Sequence, residues 1–376
     1  MKKIANVLKV IILILLSIFI LIAIMYALGI NDDIVNFFSK EETGVVQNET
    51  GKEIAIQKDI NVALTMDDKI EENTAWCGTF QLIWNDLKSE VVKKDIEFTP
   101  QLEVVENLNR GKFTTSQLSE SSYYKKHGIP TQELKKEIEK GIQDKFGEES
   151  DILDNFVFDG DPYKYFLYTM LKKEFEFNKE FEELPSGRFG EYNDIKYFGI
   201  QSKGEKSAEL RRQVEVLYYN SKDDFAIKLL TKQNDEVIIS KGINGDTFAN
   251  IYEEINKRNE NYQGDATFGE SDILKIPNID FELQKEFKEL ENKEFKDIYE
   301  NNMVIEKAMQ TIEFELDKKG GKIKSEAGMM VNKAAIIEPT EPREFLVDNT
   351  FNIFLKENDK NMPYFAANIQ DITKFQ

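Results

Sequence analysis

Residues 10–30 read VIILILLSIFILIAIMYALGI, an apolar run without one charge, and Lys2, Lys3 and Lys9 precede it. Roughly 20 such residues make about 30 Å of helix, enough to span a bilayer. The run exceeds the roughly 7–15 apolar residues of a cleaved signal peptide. Ala27 and Gly29 form a small-x-small pair, so cleavage stays an alternative to retention as a single transmembrane anchor. The lysines lie before the run and Asp32 and Asp33 after it, which predicts a cytoplasmic N-terminus and an extracytoplasmic remainder. Residues 31–58 are polar and hold no period, as expected of a flexible extracytoplasmic stalk. They include Asn48-Glu49-Thr50, a glycosylation sequon in form.

From residue 59 to 376 the pattern is that of one globular ectodomain. Phe80, Ile83, Trp84, Leu87 and Val91 recur at helical spacing and predict a buried helix over 74–92. Helical patterns also run over 115–127, closing at Gly128, and over 131–146, where Leu134, Ile138, Ile142 and Phe146 form one stripe before Gly147. After about residue 163 the period moves toward two, through KYFLYTMLKKEFEF, VEVLYY, FAIKLLT and EVIIS, the last pair joined by the turn KQND. Helices are expected again over 248–257 and 281–310, followed by the alternating TIEFELD. Helices first, then strands of antiparallel character with further helices, predict an α+β fold of mixed sheets. No repeat of 20–50 residues is present.

Composition narrows the function. With 49 basic and 69 acidic residues the net charge is −20, which disfavours nucleic-acid phosphates and anionic lipid surfaces as partners. The one cysteine, Cys77, rules out an intrachain disulfide, and the one histidine, His127, rules out multi-histidine metal sites. A Cys77/His127 hydrolase dyad is arithmetically open. The plainer reading packs Cys77 as a small apolar residue and sets His127 in a last helical turn. Asp159-Gly160-Asp161 begins like a calcium loop but lacks the later ligands, and reads as a turn. GxGxxG, GxxxxGK[ST] and GxSxG are all absent. No metal, cofactor or catalytic residue is expected.

The last third carries a resemblance. QTIEFELDKKG, residues 310–320, resembles the strand leading into the reactive loop of serpins, the serine protease inhibitor superfamily. PREFLVDNTFNIF, 342–354, resembles that family's F-x-x-D-x-P-F-x-F strand, and PYFAANI, 363–369, its closing L-F-x-G-x-V. Upstream, residues 167–181 are similar to its central strand, VEVLYYNSKDDFAIKLLT to its V-x-E-L-P-Y region, and NTAWCGTFQLIW holds the place of its N-S-P-x-S helix. The likeness spans roughly 155–376. Lys318 stands where the family has glutamate, Thr350 where it has proline, and the alanine-rich hinge is missing.

The resemblance implies a monomeric bait for extracellular serine or cysteine proteases and not an enzyme: a protease cuts an exposed loop, and the loop's first part joins the main sheet as a strand. Gly320 and Gly321 correspond to the hinge. Beyond them Ile323, Ser325, Ala327, Met329 and Val331 alternate with Lys322, Lys324 and Glu326, as strand geometry requires. Counting from Gly320 puts the scissile bond near Ala334-Ala335, with Lys333-Ala334 equally open for a trypsin-like enzyme. Two alternating runs around Gly-Gly also describe a fixed β-hairpin. A non-inhibitory serpin-like fold or another α+β surface-binding module therefore remains the alternative function.

Overall fold

The computed structural model describes residues 60–203, 205–322 and 342–376, together with two short strands, Val46–Gln47 and Glu53–Ile54. The chain forms two compact units, Met1–Ile56 and Gln57–Gln376. In the first, the two short strands pair antiparallel, Val46 opposite Ile54. The expected anchor over 10–30 and the rest of the stalk lie outside the described residues. Among the described residues no helix is long and apolar enough to cross a membrane.

The second unit is α+β. Its largest sheet has seven strands in the order β8-β9-β10-β18-β19-β2-β1, formed by β1 (Asn61–Ala63), β2 (Thr74–Cys77), β8 (Val214–Ser221), β9 (Asp224–Leu230), β10 (Asp235–Lys241), β18 (Phe351–Glu357) and β19 (Phe365–Ile369). Every residue of β2, β10, β18 and β19 is buried. That is why Val237-Ile238-Ile239, Ile353-Phe354-Leu355 and Phe365-Ala366-Ala367 read as continuous apolar runs: both faces of these strands are covered. A four-stranded sheet, β17-β11-β7-β6, uses β6 (Glu182–Phe189), β7 (Tyr192–Ile200), β11 (Ile273–Pro277) and β17 (Glu344–Leu346). Another, β12-β15-β16-β5, uses β5 (Phe175–Glu176), β12 (Ile279–Glu286), β15 (Met309–Leu316) and β16 (Gly320–Lys322). Two strand pairs remain: β3 (Tyr123–Gly128) with β4 (Phe166–Leu171), and β13 (Glu294–Lys296) with β14 (Asn302–Val304).

The helices follow local signals. α1 (Thr79–Asp86) continues as a wider turn over Leu87–Val92. After α2 (Glu103–Asn109) comes α3 (Gln132–Phe146). Thr131 caps α3 by accepting from the Leu134 amide, Gly147 closes it at φ +66°, and the stripe Leu134, Ile138, Ile142, Phe146 is buried. That stripe packs with Phe166 and Tyr168 of β4 in a core of its own. α4 (Glu205–Arg211) and α5 (Phe248–Asn261) complete the set, α5 capped by Thr247.

Three expectations are corrected. Residues 74–77 are strand and not the start of the helix, because Thr74–Cys77 lies between β1 and β19. Residues 115–127 hold two short 3-10 turns and then β3, whose pairing with β4 over its whole length overrides the local helical preference. Residues 281–310 are β12, β13, β14 and the start of β15. The apolar positions Ile279, Phe281 and Leu283 alternate and face Leu316, Phe314 and Ile312 across the β12–β15 pair.

Candidate functional site

The hinge predicted at Gly320-Gly321 is the short strand β16, held between β15 and β5. The reversal that precedes it is made by Asp317-Lys318-Lys319: Asp317 Oδ1 accepts from the Lys319 and Gly320 amides at 2.7 and 3.3 Å, and the Asp317 amide donates to Gly320 O. Gly320 and Gly321 therefore lie in the returning strand and not at the hairpin apex. Both need to be glycine. Gly320 sits at φ +152°, where a Cβ would fall 2.1 Å from Phe175 O, and a Cβ on Gly321 would meet the Phe175 ring at 2.6 Å and Glu315 O at 2.7 Å. Gly320→Ala is accordingly expected to push β16 out from between its neighbours and cost about 1–3 kcal/mol. Chemical denaturation measures the loss, and faster hydrogen exchange at the Phe177 and Phe181 amides, which donate to Lys319 O and Lys318 O, locates it.

The flanks of β16 are built from aromatics and charge. Phe175 and Phe177 are buried, and the Phe177 and Phe181 rings meet edge to face at 4.8 Å. Lys318, at the position the serpin resemblance gives to glutamate, pairs with Glu183 at 3.1 Å and Glu180 at 3.2 Å, and these hydrogen bonds raise its pKa. Lys322 points to solvent and pairs with Glu315 at 3.1 Å.

Beyond β16 the sheet edges are incomplete. β15 pairs with β12 throughout, but on its other edge only Glu315 and Leu316 have a strand partner among the described residues. β4 pairs with β3 on one edge and with no described strand on the other. One buried polar atom on each strand, Gln310 Oε1 of β15 and Thr169 Oγ1 of β4, has no hydrogen-bond partner among the described residues. Such groups are costly to bury and rare. The other end of Gln310 is engaged, its Nε2 donating to Cys77 O at 3.0 Å and Thr79 Oγ1 at 2.6 Å.

Beside β5 lies a buried ionic cluster. Lys173 pairs with Asp235 at the start of β10 and, at 2.9 Å, with Glu357 at the end of β18; all three side chains are at most 3% exposed. Tyr364 donates to Asp235 at 3.0 Å, and the Lys173 ammonium lies 4.9 Å from the centre of the Tyr364 ring. Glu357 also accepts from Ser119 and Ser122, which lead into β3. Burial pushes the Asp235 carboxyl above its ordinary value despite Lys173. Burial also opposes ionisation of Glu357, yet Lys173 and the Ser119 hydrogen bonds bring it below its ordinary value. The cluster ties four chain segments together next to the strand on which β16 docks.

The chain is equally well fixed where it is next described. Arg343 Nη2 and Nε reach Asp272 Oδ2 at 2.6 and 3.1 Å, the Arg343 amide donates to Asp272 Oδ1 at 2.9 Å, and Nη1 donates to Asp265 O at 2.6 Å. β17 then runs parallel to β11. The other residues assigned to the loop, Ile323, Ser325, Ala327, Lys333, Ala334 and Ala335, lie outside the described residues.

Cys77 and His127 have separate surroundings. Burial pushes the Cys77 thiol pKa up, the opposite of an activated thiol, and its sulfur accepts from Thr79. His127 is on strand β3 and not in a last helical turn; its Nδ1 shares a 2.6 Å hydrogen bond with Tyr165 Oη. Asp159-Gly160-Asp161 leads into a turn at 162–163, closed by the Lys164 amide donating to Asp161 O; Gly160 sits at φ +75° and Lys164 pairs with Asp159 at 3.1 Å. Among the described residues no group of three His, Cys, Asp or Glu could hold a metal ion. No local pattern points to the Lys173 cluster, whose members lie far apart in the chain.

No family model and no curated protein matches the chain. Solved structures do. Thyroxine-binding globulin in complex with thyroxine is 11% identical with a TM-score of 0.45, over 80% of this chain and 93% of that one. Serpin48, a highly specific serpin of the insect Tenebrio molitor, is 12% identical with a TM-score of 0.44, over 80% and 92%. The mouse protein-Z dependent protease inhibitor is 11% identical with a TM-score of 0.47, over 81% and 92%. Serpin48 is of the family that the last third resembles in sequence; at 12% identity or less and with TM-scores below 0.5, these likenesses leave function to the chain's own strands.

Proposed function

We propose that the chain is a serpin-like bait for extracellular proteases, in which the segment after Lys322 is cut and its first part then enters the sheet between β15 and β4. One observation carries the reading: β16 already starts that strand, and the two flanking strands run on past it with edges that no other described strand pairs. β16 is antiparallel to both neighbours, so each step forward from Lys322 is one step back along β15 and along the chain of β5 and β4. Followed without a bulge, position 327 falls opposite both Gln310 and Thr169, two of the four residues whose buried side-chain atoms have no partner among the described residues.

The alternation agrees with this register. Gly321 is buried and Lys322 exposed, so Ile323, Ser325, Ala327 and Met329 would face inward with Ile312, Phe314 and Gln310. Lys324 would face outward opposite Glu313, repeating the Lys322–Glu315 pair. Cross-strand pairs of that kind stabilise sheets. The protein does no catalysis in this reading. It presents a substrate, with the cut near Ala334-Ala335 or Lys333-Ala334, at a cell surface to which residues 10–30 anchor it.

Incubation with serine proteases of trypsin-like and elastase-like preference, and with cysteine proteases, tests the reading. A protease–protein complex that survives boiling in detergent is expected. Clean cutting of the loop by every protease, with no such complex, would defeat inhibition. The alternative, a non-inhibitory serpin-like fold or another surface-binding module, is favoured by Lys322-Ile323-Lys324, which replaces the small residues expected at a hinge.

A further inference from the structure

A cavity of about 600 Å³ opens between α5, the segment after β1, the turn after α2 and the loop before β19. Small-molecule sites run from roughly 300 to 1,000 Å³ and combine apolar walls with a few convergent polar groups. Here Trp76, Phe113, Tyr252 and Met362 supply the apolar wall. The Trp76 and Phe113 rings meet edge to face at 5.5 Å, and the Trp76 indole N–H is already given to Leu64 O at 3.3 Å.

Two amide side chains line the same space, Gln81 at 2% and Asn107 at 4% exposure. Their nitrogens are engaged: Gln81 Nε2 donates to Leu108 O and Asn85 Oδ1 at 2.8 and 2.9 Å, and Asn107 Nδ2 donates to Asp68 Oδ1 at 2.8 Å. Their carbonyl oxygens accept from no donor among the described residues and keep some access to solvent, so both are acceptors open to a partner in this space. The rim adds charge of one sign. Lys112 is matched by Asp67 at 2.8 Å and Lys257 by Glu254 at 3.7 Å. Glu253 and Glu260, two turns apart on α5, have no ion-pair partner among the described residues.

We infer that this cavity takes a planar organic cation bearing N–H donors, its ring system against Trp76 and Phe113, its donors toward Gln81 and Asn107 and its charge beside Glu253 and Glu260. A cation near aromatic faces and unpaired carboxylates is favoured over an anion where Trp76, Phe113, Glu253 and Glu260 line this site. The assignment does not depend on the fate of the loop after Lys322.

Titration calorimetry on the full chain, with proflavine as the planar cation and 1-anilinonaphthalene-8-sulfonate as an anion of similar size, tests it at about 0.15 M salt, where surface attraction is screened. One proflavine per chain is expected, at least about tenfold tighter than the anion. Glu253→Gln combined with Glu260→Gln should weaken proflavine about tenfold or more. Asn256→Trp, a substitution at an exposed lining residue that fills the mouth, should abolish binding while leaving the melting temperature unchanged. Absence of proflavine binding, anion binding of equal strength, or proflavine binding that persists in both variants overturns the assignment; the last is general attraction to a chain of net charge −20.

Discussion

Lys173→Met is expected to cost about 3–5 kcal/mol at neutral pH, the usual loss when one partner of a buried ion pair is removed. Methionine fills the space of the lysine stem but leaves Asp235 and Glu357, 3% and 0% exposed, without their shared cation. Each carboxylate must then stay charged without compensation or take up a proton. Burial already holds Asp235 above its ordinary pKa, and without Lys173 both groups move further up. A carboxyl whose folded pKa lies above its unfolded value favours folding only once protonated, so the deficit of the variant shrinks as the pH falls from about 7 toward 5. Urea denaturation at several pH values reads this directly. Adding Asp235→Asn and Glu357→Gln to Lys173→Met should remove the pH dependence. A single variant within about 1 kcal/mol of the parent at every pH contradicts the account of this cluster.

Some of this architecture is legible in the sequence because it is local. The α3 stripe and the closing Gly147 belong to one helix, and each does there what its spacing implies. The hairpin of β9 and β10 and the strand β15 follow from alternation bounded by turn residues. Misreadings arise where one period imitates another. Residues 281–310 hold enough apolar positions three and four apart to suggest a helix, yet pairing with β15 decides for strand. His127 precedes a glycine, as a helix end would, but its segment is claimed by β4. Lys173, Asp235 and Glu357 give no local signal at all, since an isolated charge in a strand reads as solvated and only the assembled sheets bury it. The same holds for Gln81, Asn107 and Glu253, which the fold alone gathers at one cavity.

On the proposed bait reading, Ala327→Arg is expected to turn an inhibitor into a plain substrate. Position 327 is the one that the β16 register carries to Gln310 and Thr169, on the buried side of the sheet. Alanine fits between two polar side chains there, whereas arginine would bring an unpaired charge into a dry interval, at a cost of several kcal/mol. The intact variant should fold and melt like the parent if, as proposed, this segment enters the sheet only after cutting. Proteases should cut it at the parent's rate. What it should lose is the detergent-stable complex, by at least about tenfold in yield.

Cutting the loop and remeasuring the melting temperature decides the central claim. A strand that enters between β15 and β4 adds two ladders of backbone hydrogen bonds and gives Gln310 and Thr169 a filled neighbour, so the cut parent should melt well above the intact protein while cut Ala327→Arg should not. An unchanged or lower melting temperature in the cut parent would mean that β16 ends a fixed hairpin and that no strand enters the sheet.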